Sequence, residues 1–345
     1  MKILKKNKVI IIAEAGVNHN GSVEIAKKLI DVAANSGADF VKFQTFIAEK
    51  VISKHAKKAE YQIENTGLIE ETQLDMVKKL ELTPAMHDEL INYCRQKNIN
   101  FLSTAFDLDS IDLLKKLNLP FFKIPSGEIT NLTYLRKVAE NFDKIVMSTG
   151  MAYLEEVKEA FKVLIDKGIK KENITILHCN TEYPTKMEDV NLKAMLQIQN
   201  EFGTSVGYSD HTLGIEVPIA AVALGANIIE KHFTLDRKMS GPDHPASLEP
   251  NELMDMVTSI RNITSALSGS GIKEPSKSEI KNIKIVRKSL HFKTNLEPGH
   301  ILTENDIISL RPGTGISPMK IDNFIGKRIK TQVKELTILN KKNFL

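Results

Sequence analysis

The chain has 345 residues, 42% of them hydrophobic and 26% charged, with a formal net charge of +4. That length can bury a large core and suits one large domain plus a small one, while scattered lysines and so small an excess charge argue against nucleic-acid binding. Two distant cysteines, Cys94 and Cys179, suit a reducing compartment, and Val9-Ile-Ile-Ile-Ala13, cut short by Glu14, is too brief for a signal peptide or membrane span, so a cytoplasmic protein is expected.

Apolar runs of strand length recur at Val9–Ala15, Phe40–Thr45, Asn100–Ala105, Phe121–Pro125, Lys144–Ser148, Ile174–Cys179, Ser205–Ser209 and Ala226–His232. The segments between them carry helical periodicity, as in the stretches that begin at Val23 and at Leu154. Several close on glycine before the next strand: Gly37, Gly168 and Gly225. Alternating strands and helices imply a parallel sheet. Eight such units predict a (β/α)8 TIM barrel, an α/β fold, rather than an open doubly wound sheet. The stretch Ala15-Gly-Val-Asn-His-Asn-Gly21 lacks the glycine fingerprint that a dinucleotide fold needs after its first strand.

Two insertions break the rhythm. Phe46 to Thr83, which contains Tyr61-Gln-Ile-Glu-Asn-Thr-Gly67, reads as a lid over the site or as a helical surface excursion. After the eighth strand, a Gly241-Pro-Asp243 turn brings a carboxylate to the barrel rim, and His244 reads as a solvent-facing loop residue. The composition then shifts to Ser, Gly and Lys. This places the barrel at 1–266, a linker at 267–284 and a small β-rich module at 285–345.

Polar residues fall at or just past the ends of the strands. They are Glu14, Lys42, Gln44, Thr104, Lys123, Ser126, Glu128, Ser148, Thr149, Tyr183, Ser209, Asp210, His211, Glu230 and His232. In a barrel these positions converge on the C-terminal face, where active sites of this fold lie. His211 and His232 end neighbouring strands 21 residues apart, within reach of one divalent metal. Two unrelated polar strand ends would look the same. Cys179 reads as a buried strand residue rather than a ligand. Lys123 is formally placed for Schiff-base chemistry, and a barrel serving only as scaffold for a binding tail would leave the loaded rim unexplained.

The motifs taken together resemble the sialic acid synthases. They are Ala13-Glu-Ala-Gly-Val-Asn-His-Asn-Gly21, Val41-Lys-Phe-Gln-Thr45, Phe122-Lys-Ile-Pro-Ser-Gly-Glu128 and Met147-Ser-Thr-Gly-Met151, followed by Tyr208-Ser-Asp-His-Thr212, Glu230-Lys-His-Phe-Thr234, Gly241-Pro-Asp243 and Arg311-Pro-Gly-Thr-Gly-Ile-Ser317. The resemblance runs in order along almost the whole chain. It implies a barrel followed by an antifreeze-like (SAF) domain, assembled as a domain-swapped homodimer. It also implies condensation of phosphoenolpyruvate with an N-acetylated hexosamine, giving a nine-carbon 2-keto acid and phosphate by C–O cleavage.

By the same resemblance, Lys42, Thr104, Lys123, Ser126, Ser148 and Ser209 bind phosphoenolpyruvate. Glu14 and Glu128 are the catalytic candidates. Gln44, Tyr183, Glu230, Asp243 and Arg311 contact the sugar, Arg311 from the partner protomer. His211 and His232 hold a divalent metal, Mn²⁺ ahead of Mg²⁺ or Co²⁺. N-acetylmannosamine is the favoured acceptor, with the 2,4-diacetamido-2,4,6-trideoxymannose of legionaminate synthesis as the alternative, because Gly241-Pro-Asp-His-Pro-Ala-Ser-Leu-Glu-Pro250 fits both branches.

Overall fold

The computed structural model describes residues 8–59, 62–63 and 71–345. Within the Phe46 to Thr83 insertion, residues 60–61 and 64–70 lie outside the described residues, and the described part holds short helices at Ala48–Val51 and Gln73–Lys78. The chain forms two compact units, one ending at Ser268 and the other running Gly269–Leu345. Among the described residues no helix is long and apolar enough to cross a membrane.

Eight parallel strands close the first unit into a barrel. They are β1 (Ile10–Gly16), β2 (Phe40–Thr45), β3 (Asn100–Ala105), β4 (Phe122–Ile124), β5 (Ile145–Ser148), β6 (Ile174–Cys179), β7 (Ser205–Asp210) and β8 (Ile228–His232). Closure comes from β1, which pairs with β2 on one side and β8 on the other, setting Glu14 opposite both Lys42 and His232. Strand β4 is short because Pro125, with no N–H to give, follows it directly.

Period-two alternation divides each strand between two environments. Ile10, Ile12, Phe40, Leu102, Val146, Leu177 and Ile228 form one apolar cluster, the floor of the barrel interior. Two residues after Ile12, Phe40, Leu102, Val146, Leu177 and Ile228, at the same phase, come Glu14, Lys42, Thr104, Ser148, Cys179 and Glu230. The intervening positions, among them Ile11, Ala13, Val41, Phe43, Ile124, Val206 and Ile229, pack outward against helix residues such as Leu29, Leu90, Val138, Leu164 and Val257. The helices carry local stop and start signals. The Val23–Ser36 helix is capped by Ser22, whose side chain accepts from Ile25 N–H, and ends on Gly37 in the left-handed region.

The second unit holds a helix, Lys277–Val286, and an antiparallel pair, β9 (Ser289–Phe292) with β10 (Ile307–Leu310). Leu290, Phe292, Leu302, Ile329 and Leu339 fill its small core. The helix occupies the second half of the 267–284 segment that the composition marks as a linker. Its signal is Ser276 with Glu279 three residues on, a capping box that the Ser- and Lys-rich composition obscures.

Candidate active site

The C-terminal mouth of the barrel opens into a cavity of about 550 Å³. Glu14, Lys42, Gln44, Thr104, Lys123, Ser126, Ser148, Tyr183, Ser209, His211, Glu230 and His232 all line it. Twelve of the fifteen strand-end polar residues therefore meet in one place.

Its inner wall is a chain of lysines alternating with carboxyl groups. Lys42 Nζ lies 2.8 Å from Glu14 Oε2 and 3.5 Å from Glu230 Oε2, and Lys123 Nζ lies 3.4 Å from Glu230 Oε1. Lys42 also donates to Thr104 Oγ1 at 2.8 Å, Lys123 to Ser148 Oγ at 2.7 Å, and Ser209 to Glu230 Oε1 at 3.0 Å. Glu14 Oε2 and Glu230 Oε2 remain without a hydrogen bond of good geometry, although both lie close to Lys42 Nζ.

Burial sets the protonation pattern. It pushes the Glu14 carboxyl up to about 8, against the pull of Lys42 and with the help of Glu230. At Glu230 burial acts upward too, but Lys123 and Lys42 outweigh it and hold the carboxyl below its usual range. Burial also lowers Lys123, in spite of Glu230. Near neutral pH Glu14 keeps a proton, and Glu230 is left as the carboxylate between two lysines. Such a cavity accepts an anion at one end and offers a proton at the other.

The histidine pair stands beside this wall with ring centroids 5.4 Å apart. His211 Nδ1 donates to the Asn180 carbonyl, which leaves Nε2 as the ring's lone-pair nitrogen. His232 Nδ1 is buried without a hydrogen bond, 3.9 Å from Asp243 Oδ2. Gly16 makes room for this ring: its φ is +53°, and a Cβ there would sit 3.1 Å from His232 Cε1. Burial lowers His211 to about 4, and burial with the neighbouring His211 and Lys42 lowers His232 well below its usual range. Both imidazoles are thus neutral, the form that binds metals. Among the described residues no group of three His, Cys, Asp or Glu could hold a metal. The pair fits an ion that takes its other ligands from substrate or water.

Tyr183 closes one side, its ring centroid 4.2 Å from that of His211. Ser126 accepts from Gly150 N–H at 2.8 Å and touches Cys179 Sγ at 3.3 Å. Gly150 cannot be replaced without displacement, since a Cβ there would meet Thr181 Cγ2 at 2.5 Å and Ser126 Oγ at 2.9 Å.

Several other positions singled out from the sequence lie outside the cavity wall. Glu128 does not line the cavity; it follows Pro125 in a 3₁₀ turn, half-buried, and accepts from Asn131 Nδ2 at 2.7 Å. Asp243 is buried behind His232 rather than in the cavity wall, and burial pushes its carboxyl up to about 6. Arg311 belongs to the second unit, exposed, with Nε donating to the Val286 carbonyl at 3.0 Å. Thr149 turns back to donate to the Leu177 carbonyl, also at 3.0 Å. Asp210 faces outward, pairing with Lys231 at 2.5 Å. His244 is wholly buried rather than solvent-facing, because Thr234 Oγ1 at 2.6 Å and Asn20 Oδ1 at 3.3 Å satisfy both ring nitrogens. The reading missed Lys231 altogether; with Glu230 and His232 facing inward, alternation required an outward lysine between them.

The NeuB family model matches residues 29–273 and the SAF domain model residues 287–345. The N,N'-diacetyllegionaminic acid synthase of Campylobacter jejuni is 57% identical over 328 residues, covering 95% of this chain and 98% of the relative. The enzyme of that name from Legionella pneumophila is 46% identical, covering 95% and 92%. Among solved structures, an N-acetylneuraminic acid (sialic acid) synthetase from Leptospira borgpetersenii, in complex with citrate, superposes with a TM-score of 0.70. It is 35% identical and the match covers 80% of this chain and 90% of that one. The expectation drawn from the motifs thus holds at the level of family and domains: this chain belongs to the NeuB family and carries a C-terminal SAF domain.

Proposed function

We propose that this enzyme condenses phosphoenolpyruvate with 2,4-diacetamido-2,4,6-trideoxymannose, giving N,N'-diacetyllegionaminate and inorganic phosphate. The observation that carries this reading is identity of 57% and 46% to two N,N'-diacetyllegionaminic acid synthases, against 35% to the sialic acid synthetase. It reverses the preference for N-acetylmannosamine taken from the motifs. The reason is that Gly241–Pro250 is common to both branches and carries no information on the acceptor.

The cavity suits the chemistry residue by residue. Lys42 and Lys123, with the hydroxyls of Thr104, Ser126, Ser148 and Ser209, match a phosphate and a carboxylate on one small molecule. His211 and His232 would hold a divalent ion, Mn²⁺ by the two-imidazole donor set with Mg²⁺ or Co²⁺ as alternatives, which would supply Lewis-acid polarisation of the sugar aldehyde. Carbon C3 of phosphoenolpyruvate bonds to the aldehyde carbon, and C2 acquires cationic character. Glu230, held ionised between the lysines, stabilises that charge. Glu14 holds the proton that the new alkoxide needs, and as a carboxylate it then takes one from the water adding at C2. Collapse of the tetrahedral carbon breaks its bond to the phosphate oxygen, and the second water proton leaves with phosphate. Arg311, brought by the SAF domain of a second copy in a domain-swapped homodimer, would hold an acetamido group; Arg311→Ala should then raise the sugar KM more than it lowers kcat.

Phosphate release from phosphoenolpyruvate with Mn²⁺ tests the reading, with the two sugars compared at equal concentration. A higher kcat/KM for the diacetamido sugar is expected. Preference for N-acetylmannosamine would move the enzyme to the sialic acid branch.

A further inference from the structure

The outward neighbours of the two histidines are themselves joined. Asp210 precedes His211, Lys231 precedes His232, and the two are direct partners in the β7–β8 register. Both side chains are wholly buried and neither lines the cavity. They lie between the barrel wall and the surrounding helices, where Lys231 also feels Glu216 and Glu252. Neither can touch a substrate from there.

Lys231 Nζ donates to Asp210 Oδ2 at 2.5 Å, to the Thr212 carbonyl at 2.5 Å and to Thr212 Oγ1 at 3.4 Å. That is one acceptor for each of its three N–H groups. Asp210 Oδ1 in turn accepts from Thr212 N–H at 3.1 Å, and Thr212 Oγ1 donates to the same carboxylate at 3.0 Å. His211 is therefore bracketed, front and back, by two residues tied to the residue before His232. Its carbonyl accepts from Thr185 N–H at 2.8 Å, and its ring is tied to Asn180. On the inner face of the same strand pair, Ser209 bonds Glu230.

Burying an ion pair is a poor route to stability, since apolar residues of similar volume often serve as well or better. Fixing the separation of two ligands borne on different strands is a task it does suit. We propose that Asp210, Lys231 and Thr212 form a positioning clamp that sets the spacing of His211 and His232 for metal binding. The inference rests on the metal reading given under Proposed function. The clamp acts through the histidines and takes no part in bond making.

The test is Mn²⁺ titration of the full-length protein, followed by the electron paramagnetic resonance signal of free Mn²⁺. Wild type should bind, and His211→Ala should not. Failure of either control would overturn the metal reading, and the clamp with it. Given both controls, the apolar double variant Asp210→Leu/Lys231→Met should keep a Tm near wild type. Its Mn²⁺ Kd should rise about 10–100-fold, the range for residues that orient metal ligands, and the bound-Mn²⁺ spectrum should broaden. A folded double variant with wild-type Kd and spectrum would overturn the clamp while leaving the metal reading intact. Should the double variant not fold, Thr212→Val decides, since it removes one hydroxyl and keeps the ion pair. A Kd raised at least about threefold supports the clamp, and an unchanged Kd overturns it.

Discussion

The inner and outer faces of the β7–β8 strand pair are both ionic and both buried, and they differ in how completely their ionisable groups are satisfied, although the outward Tyr208 hydroxyl also lacks a hydrogen bond. On the outer face every proton of Lys231 has an acceptor and Asp210 is held by lysine and threonine together. On the inner face Glu230 Oε2 and His232 Nδ1, with Glu14 Oε2 on the adjoining β1, are buried with no hydrogen bond of their own. Buried polar atoms are ordinarily paired, and those left over mark places where a structure serves something besides its own stability. The outer face holds shape, and the inner face is arranged for groups that arrive with a substrate.

Substitutions should separate the two faces. The largest effect is expected from Glu14→Gln on the inner face. It should lower kcat by about 10²–10⁴-fold, with Michaelis constants little changed and no loss of thermal stability, because a neutral amide of the same shape replaces a carboxyl that burial already disfavours as an anion. Raised Michaelis constants with normal kcat would contradict the acid–base role. Lys231→Met alone acts on the outer face and should show first as lost stability. Left unpaired in the protein interior, Asp210 should cost about 3–5 kcal/mol in a urea denaturation experiment, and a loss below about 1 kcal/mol would mean that the pair is not closely coupled.

A smaller effect concerns pH. Burial holds His211 at about 4, below the ordinary 6.5, and His232 is lowered as well. A depressed folded pKa means that the unfolded chain binds protons which the folded barrel refuses. The stability contributed by the neutral pair is complete above about pH 6.5 and lost as pH falls toward 4. Tm of the metal-free protein, followed by calorimetry, should therefore decline across that window, and His211→Ala should flatten part of the decline. An equal slope in the variant would show that other groups carry it.

Much of the barrel was legible because two simple periods coincide. Strands β2, β3 and β6 match the apolar runs end to end, and the polar residue two places after each floor residue marks the cavity wall. What stayed hidden depends on partners distant in sequence. His244 looks like a loop residue until Asn20, 224 residues away, is seen to satisfy it. Asp210 looks like a rim residue because it precedes a histidine, yet its phase along β7 turns it toward the helices. The Lys277–Val286 helix was masked by polar composition, for it leaves no residue buried and so lacks the apolar face that identifies most helices. Acceptor choice was illegible for another reason: it turns on one acetamido group and one hydroxyl, and a single buried partner can decide it.

The most direct measurement follows the bridging oxygen of phosphoenolpyruvate. The substrate would carry oxygen-18 between C2 and phosphorus and be turned over with the diacetamido sugar and Mn²⁺. If water adds at C2 beside Glu14 and Glu230, the label leaves in inorganic phosphate and the nine-carbon keto acid takes its C2 oxygen from solvent. Unlabelled phosphate, with the label retained in the product, would place the cleavage at phosphorus and contradict the roles assigned to both glutamates.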